Sequence, residues 1–161
     1  MKLIKLSGRL KAIADLVEKG ASLADIGTDH GYLPVYLAQN NITKKIIATD
    51  ISEASLESAR RSVNKYKTAK AITLVVTPGL KGITIDDVDT IVIAGMGGET
   101  ILGILKNAPW TKHKNVTLIL QPQSKADLLC RFLYDNEYNI KTTKLIFDKR
   151  KQYMLILSSG T

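Results

Sequence analysis

Five short aliphatic runs constrain this chain more than any other feature: Ser22–Ile26, Lys45–Thr49, Ile72–Val76, Thr90–Ala94 and Val116–Leu120. They are nearly continuous in apolar residues, without the polar alternation of a half-solvated sheet, which is the signature of strands buried on both faces. Between and after them the spacing changes. Leu33–Gln39, Glu53–Lys67, a segment from the glycines at 95, 97 and 98 to about Asn107, and a segment ending near Asn136 read as helices. Ser52 is placed to cap the second of these, and Ser124 with Asp127 resembles a capping box for the last. Strands that alternate with helices require a mostly parallel sheet covered on both faces.

Two further strands, Ile140–Phe147 and Tyr153–Leu157, are joined by only a short basic connection and should form a hairpin. The expected fold class is therefore α/β: a Rossmann-like, seven-stranded, mostly parallel sheet with one reversed strand in a C-terminal hairpin. At the other end, Leu3, Leu6, Leu10, Ile13, Ala14 and Val17 recur at helical spacing. They predict an amphipathic helix over about 3–18, with Lys5, Arg9 and Lys11 on its outer side and Gly20 ending it. No repeat or linker divides the chain, so residues 1–161 read as one domain.

Composition narrows the class. Hydrophobic residues make up 45% and charged residues 24%, the balance of a soluble globular protein. No apolar run approaches the roughly 20 residues of a membrane span. The N-terminal residues are broken by charges, unlike a signal peptide, so the cytoplasm is the expected compartment. Cys130 is the only cysteine and lies in an apolar helical run. With only His30 and His113 beside it, no metal site is expected, and the thiol reads as structural. A monomer is the default. The net charge of +8 favours an acidic partner, nucleic acid first.

In open α/β sheets the ligand sits outside the carboxyl ends of the strands. After the first strand comes Gly27-Thr28-Asp29-His30-Gly31-Tyr32, in which Gly27 and Gly31 let backbone approach a ligand closely. After the second comes Asp50, 23 residues beyond Gly27, placed to accept hydrogen bonds from ribose hydroxyls. The cofactor should thus be a nucleoside. The middle glycine of G-x-G-x-x-G is missing, and Asp29 stands where a pyrophosphate would arrive. That carboxylate repels phosphates and suits an ammonium, which favours S-adenosylmethionine over NAD. Gly95-Met96-Gly97-Gly98 leaves bare backbone and helix N-terminal amides at the end of the fourth strand. Gln121 ends the fifth strand with an amide able to pair with a base edge, and Pro122 stiffens the turn behind it.

LADIGTDHGYLP, IVIAGMGGETI and LILQPQ, with the opening Leu6-Ser7-Gly8-Arg9-Leu10, together resemble the bacterial TrmK family of tRNA (adenine-N1)-methyltransferases. The likeness runs from about residue 6 to 157. It implies class I methyltransferase topology, S-adenosylmethionine as donor with S-adenosylhomocysteine as product, and the adenine at tRNA position 22 as target. It implies a first cofactor motif of Asp25, Gly27, Asp29 and Gly31. Asp50 and Ile51 would hold the ribose and flank the adenine. Gly79 would be a further cofactor contact, in a segment reading Thr77-Pro78-Gly79-Leu80 where the family has Gly-Asp-Gly-Leu. Gly95, Met96 and Gly97 would line the border between donor and acceptor. Arg9, Tyr32, Gly98, Gln121 and Pro122 are expected on the tRNA side. The family generally continues into a C-terminal helical extension, which these 161 residues do not include.

Asp29, Tyr32 and Gln121 are the expected participants in the chemistry: a carboxylate to balance charge on the product base, a ring to stack on an extruded base, and an amide to hold its edge. Arg9 is the candidate phosphate contact and His30 a brace for the loop. Two other readings of these residues stay open, namely a methyltransferase for a small-molecule or protein substrate and a non-catalytic RNA-binding module.

Overall fold

The computed structural model describes residues 2–160. Its strands are β1 (Ser22–Ile26), β2 (Lys45–Asp50), β3 (Ile72–Val76), β4 (Thr90–Met96), β5 (Thr117–Pro122), β6 (Asn139–Asp148) and β7 (Lys151–Ser159). They form one seven-stranded sheet in the order β3-β2-β1-β4-β5-β7-β6. The first five pair in parallel, and β7 runs antiparallel to both β5 and β6. The order turns back at β1, where the chain goes to β2 on one side and later to β4 on the other. That reversal opens a crevice at the carboxyl ends of these strands.

Alternate residues of each strand feed the two faces. On one face Ile26, Ile91, Ile93, Leu118 and Leu120 pack beneath α4 (Gly98–Lys106) and α5 (Ala126–Asp135). On the other, Leu23, Ile46, Val92 and Ile119 pack beneath α1 (Gly8–Ala14) and α2 (Tyr32–Gln39), with Val63 of α3 (Glu53–Lys65). Each fully buried aliphatic side chain contributes roughly 1.5–3 kcal/mol. This two-faced burial is why the strand runs carry no polar alternation. Cys130 lies partly buried on α5, where burial pushes its thiol pKa up, as a structural thiol requires.

Several boundaries differ from the sequence reading. The first helix begins at Gly8 rather than near residue 3, because Ser7 caps it by accepting the Leu10 amide at 3.3 Å. The preceding residues lie across α2 instead, where the Ile4 amide donates to Gln39 Oε1 at 2.8 Å. It ends at Ala14, where i−3 bonds from Leu16 and Val17 tighten the chain into a turn. The segment 77–89 between β3 and β4 holds no helix, and is anchored through buried Leu80, Ile83 and Val88.

At the start of α5 neither Ser124 nor Asp127 caps the helix. Lys125 occupies the N-cap position at φ 52, while the Ser124 carbonyl accepts the Gly98 amide at 2.8 Å. The hairpin also extends further than its apolar residues, to Asp148 and Lys151, because Lys149 and Arg150 both take positive φ. That is the signature of a two-residue type I′ turn, usually made by Asn-Gly.

Candidate functional site

The crevice at the carboxyl ends of β1, β2 and β4 is a cleft of about 710 Å³. Its lining includes Asp25, Gly27, Thr28, Asp29, Tyr32, Asp50, Gly95 and Met96, and also Arg9 from α1. The turn after β1 is left-handed at three places: Gly27 (φ 69), Asp29 (φ 56) and Gly31 (φ 71). Packing also favours glycine at position 31, since a Cβ there would crowd Ala59 of α3 at 3.1 Å. The turn thereby brings the Asp29 amide to Asp50, whose Oδ2 accepts it at 3.1 Å. Asp50 Oδ1 accepts the Ile51 amide at 2.9 Å. A carboxylate has about four acceptor positions, so two amides fix this group and leave acceptor capacity facing the cleft. That is the donor–acceptor chemistry a ribose diol needs. Ile51 lies at the rim beside it, 73% exposed.

Asp25 stands deeper, at the end of β1, only 6% exposed. Its Oδ2 accepts the Thr28 hydroxyl at 2.8 Å. Burial pushes its pKa up to about 7, against the lowering effects of the Thr28 bond and the Arg9 charge; Asp50 pushes it further up. The folded state therefore binds a proton more tightly than the unfolded chain, so this carboxyl's contribution to stability is present at low pH and lost as pH rises through 7. The free protein is expected to lose stability between about pH 4 and pH 7, and Asp25→Asn should flatten that part of the profile. Melting curves of both proteins across this range check it; parallel profiles would show that Asp25 is not the group responsible. A cationic ligand group entering the cleft favours the carboxylate, so the same residue suits an ammonium.

The structure separates residues that the sequence suggested as a set. Arg9 does not share the outer side of α1 with Lys11. Its Nη1 turns inward and donates to Gln121 Oε1 at 2.9 Å, with the guanidinium 5.9 Å from the Tyr153 ring centre. Gln121 is fully buried. Its Oε1 also accepts the Gly95 amide at 3.0 Å, and its Nε2 donates to the Pro122 carbonyl at 3.1 Å. An amide so engaged does not present an edge to a base; it holds Arg9 and the Gly95 turn in place. Pro122 is buried as well, paired with Met96 across an irregularity where Gly95 takes φ 76.

Gly98 is buried in packing rather than open to the cleft, because a Cβ there would overlap the Lys125 carbonyl oxygen. Gly97 faces Ser124 Oγ in the same junction. Gly79 stands apart from the Asp25–Asp50 cleft. It lines a separate hollow of about 600 Å³ between 78–83 and α4, against Ile104.

At the mouth, Tyr32 is 42% exposed and stacks on His30, with ring centres 5.1 Å apart and planes 22° apart. His30 Nδ1 lies 2.6 Å from Ser58 Oγ on α3, and its Nε2 is 3.6 Å from Asp29 Oδ2. Asp29 is therefore a rim residue whose backbone serves Asp50 and whose carboxylate faces solvent. Sequence reasoning passed over Thr28, although it lies inside the quoted motif. It also passed over Ser55, which lines the cleft without any local signal, while Lys5, read with the basic side of the first helix, lines the cleft too. Met96 Cε packs directly on Gly27, so a flexible thioether covers that stretch of bare backbone. Among the described residues no group of three or more His, Cys, Asp or Glu side chains could hold a metal, and no helix is long and apolar enough to cross a membrane.

Comparisons agree with this geometry. A methyltransferase-domain family model matches residues 6–156. The chain is 34% identical over 160 residues to the tRNA (adenine(22)-N(1))-methyltransferase of Bacillus subtilis, covering 99% of this chain and 67% of that protein. The crystal structure of the B. subtilis m1A22 tRNA methyltransferase TrmK superposes with a TM-score of 0.92 at 34% identity, over 98% of this chain and 67% of that one. A Streptococcus pneumoniae protein described as a putative tRNA (m1A22) methyltransferase, solved in complex with S-adenosyl-L-methionine, superposes with a TM-score of 0.90 at 34% identity, over 97% of this chain and 73% of that one.

Proposed function

This chain belongs to the methyltransferase-domain family, in the branch of the TrmK tRNA (adenine-N1)-methyltransferases, and from that premise we propose that it methylates N1 of the adenine at position 22 of tRNA, using S-adenosylmethionine. One observation carries the reading: a single cleft pairs the Asp50 carboxylate, oriented by two amides, with the buried Asp25–Thr28 pair and the bare backbone of Gly27 and Gly95. A nucleoside with an ammonium-bearing tail matches both acidic groups. The donor set fits S-adenosylmethionine, with Asp50 and Ile51 at its ribose and adenine, and Asp25 with Thr28 toward its ammonium.

When bound, the cofactor supplies an electrophilic methyl group on a sulfonium. The base needs no deprotonation, because adenine N1 carries an in-plane lone pair that is largely free at neutral pH. What remains for the chain is alignment and charge, the proximity and electrostatic terms of catalysis. N1 lies on the pairing edge, so the base must leave its helix at a cost of a few kcal/mol. The Tyr32–His30 stack offers an aromatic wall at the mouth where an extruded base can lie. Asp29 stands beside it with its carboxylate in solvent, placed to balance positive charge on the methylated base. Gln121 and Arg9 act as positioning residues, holding Gly95 and the end of β4 at the border between donor and acceptor. A tRNA substrate accords with the charge of +8 and with a cytoplasmic protein.

The expected result with labelled S-adenosylmethionine and unmodified tRNA is one labelled nucleoside, 1-methyladenosine, mapping to position 22. Label at another position, in protein, or nowhere overturns the reading.

A further inference from the structure

We propose that the tip of the β6–β7 hairpin is the surface that receives the RNA strand entering the cleft, with Phe147 stacking on an unpaired base and Lys149, Arg150 and Lys151 meeting backbone phosphates. The proposal rests on the tRNA reading and assigns it a surface. β6 runs parallel to β5, so its end at Asp148 lies at the same end of the sheet as Gln121 and the cleft.

The two faces of the hairpin differ. On one, Ile146 and Tyr153 are paired across the strands, and Tyr153 lies under the Arg9 guanidinium. Asp148 Oδ2 accepts the Arg9 amide at 3.0 Å. These contacts fasten the tip to α1 at the mouth of the cleft and occupy its one acidic side chain. On the other face, Leu145 and Phe147 are 58% and 75% exposed. A side chain of that size left in water beside a cluster of cations has the makeup of a single-strand stacking platform.

Charge points the same way. The turn could be made by Asn-Gly without steric cost, yet lysine and arginine hold both left-handed positions and form its apex. Lys149, Arg150 and Lys151 make no ion pair among the described residues. On α3, by contrast, Arg60 is held by Glu53 and Glu57. Arg9 itself is turned inward to Gln121, so phosphate contacts at the mouth must come from other cations.

The test compares wild type, Phe147→Ala, Phe147→Trp and the triple variant Lys149→Ala/Arg150→Ala/Lys151→Ala. Each is titrated with unmodified tRNA by fluorescence anisotropy at several potassium chloride concentrations. Each is also melted with and without S-adenosylhomocysteine, which reports an intact fold and cleft. Phe147→Ala should weaken tRNA binding about tenfold, the loss of one stacked base, and Phe147→Trp should restore it. The triple variant should lower the slope of log affinity against log salt by about 2. The shift on adding S-adenosylhomocysteine should be the same in all four. Wild-type affinity and slope in the tip variants overturn the proposal and leave the tRNA reading standing. A wild type that binds no tRNA at any salt overturns both. A wild-type dimer in sedimentation that Phe147→Ala dissociates, with tRNA affinity unchanged, assigns the patch to a second copy and overturns the RNA surface.

Discussion

Replacing Asp50 with alanine is expected to weaken S-adenosylhomocysteine binding by more than tenfold while leaving the fold intact. Two losses add. The first is direct: hydrogen bonds from ribose hydroxyls to a charged acceptor contribute roughly 1.5–3 kcal/mol each, and a factor of ten corresponds to about 1.4 kcal/mol. The second is indirect. Asp50 accepts the amides of Asp29 and Ile51, and Asp29 is held at φ 56, a backbone conformation that non-glycine residues disfavour. Without the carboxylate those amides turn to water and the Gly27–Gly31 turn loosens, so the cofactor meets a less organised loop. Asp50→Asn should fall between wild type and alanine, since it keeps the shape and one acceptor oxygen but loses the charge. Both hydrogen bonds are exposed, so overall stability should change little. Calorimetric titration, with circular dichroism as the control for folding, measures this. An affinity for Asp50→Ala equal to wild type would remove Asp50 from the cofactor site.

Gly98→Ala should destabilise the protein by several degrees of melting temperature. A Cβ at this position overlaps the Lys125 carbonyl oxygen, and stands 2.8 Å from the Ser124 oxygen and 2.9 Å from the Lys125 carbonyl carbon. These are backbone atoms at the start of α5, so no side chain can swing away. Either α4 retreats and breaks the Gly98-to-Ser124 hydrogen bond, or the 124–125 turn distorts, with Lys125 already at φ 52. Overpacking of this kind costs about 1–3 kcal/mol or more, and one kcal/mol moves the melting point by roughly 2–4 °C in a domain of this size. Gly103→Ala is the internal contrast. It lies within α4, with nothing inside 4 Å of the added methyl, and should stabilise by about 0.5–1 kcal/mol. Equal melting points for the two variants would mean that the junction between α4 and α5 is looser than its contacts indicate.

The same junction shows why part of the site could not be read from local sequence. A glycine at a strand end can free backbone for a ligand or for packing, and the residue itself is identical in both cases. Gly98 is used for packing because the turn at 124–125 lies against it, a partner 26 residues away. Gly79 serves neither use: it takes φ 54 in the turn after β3 and lines the separate hollow beside Ile104 of α4. Arg9 has the spacing of an outward residue on a long helix. It turns inward because that helix starts only at Gly8 and because Gln121, 112 residues on, offers a buried oxygen. The Ser124 cap fails because its carbonyl serves α4.

The residues alone determined the strands and the chemistry at their ends. β1 runs over Ser22–Ile26 as its apolar run requires, since a strand covered on both faces is apolar along most of its length; β3 also follows its run, Ile72–Val76, although it lies at the sheet edge with Thr73 and Val76 exposed. Asp25, Gly27 and Asp50 reach one cleft because parallel strands put all their carboxyl ends at one edge of the sheet, while Gly31 of the same motif is buried against Ala59 of α3. Tertiary structure decided what each of these groups does. Burial set the protonation of Asp25, the two amides oriented Asp50, and contacts between distant segments divided the glycines between cleft and core. Period and composition report what a residue is and which way its own element faces. A hydrogen-bond partner or a steric neighbour supplied by another element is a property of the packed chain, and no local pattern encodes it.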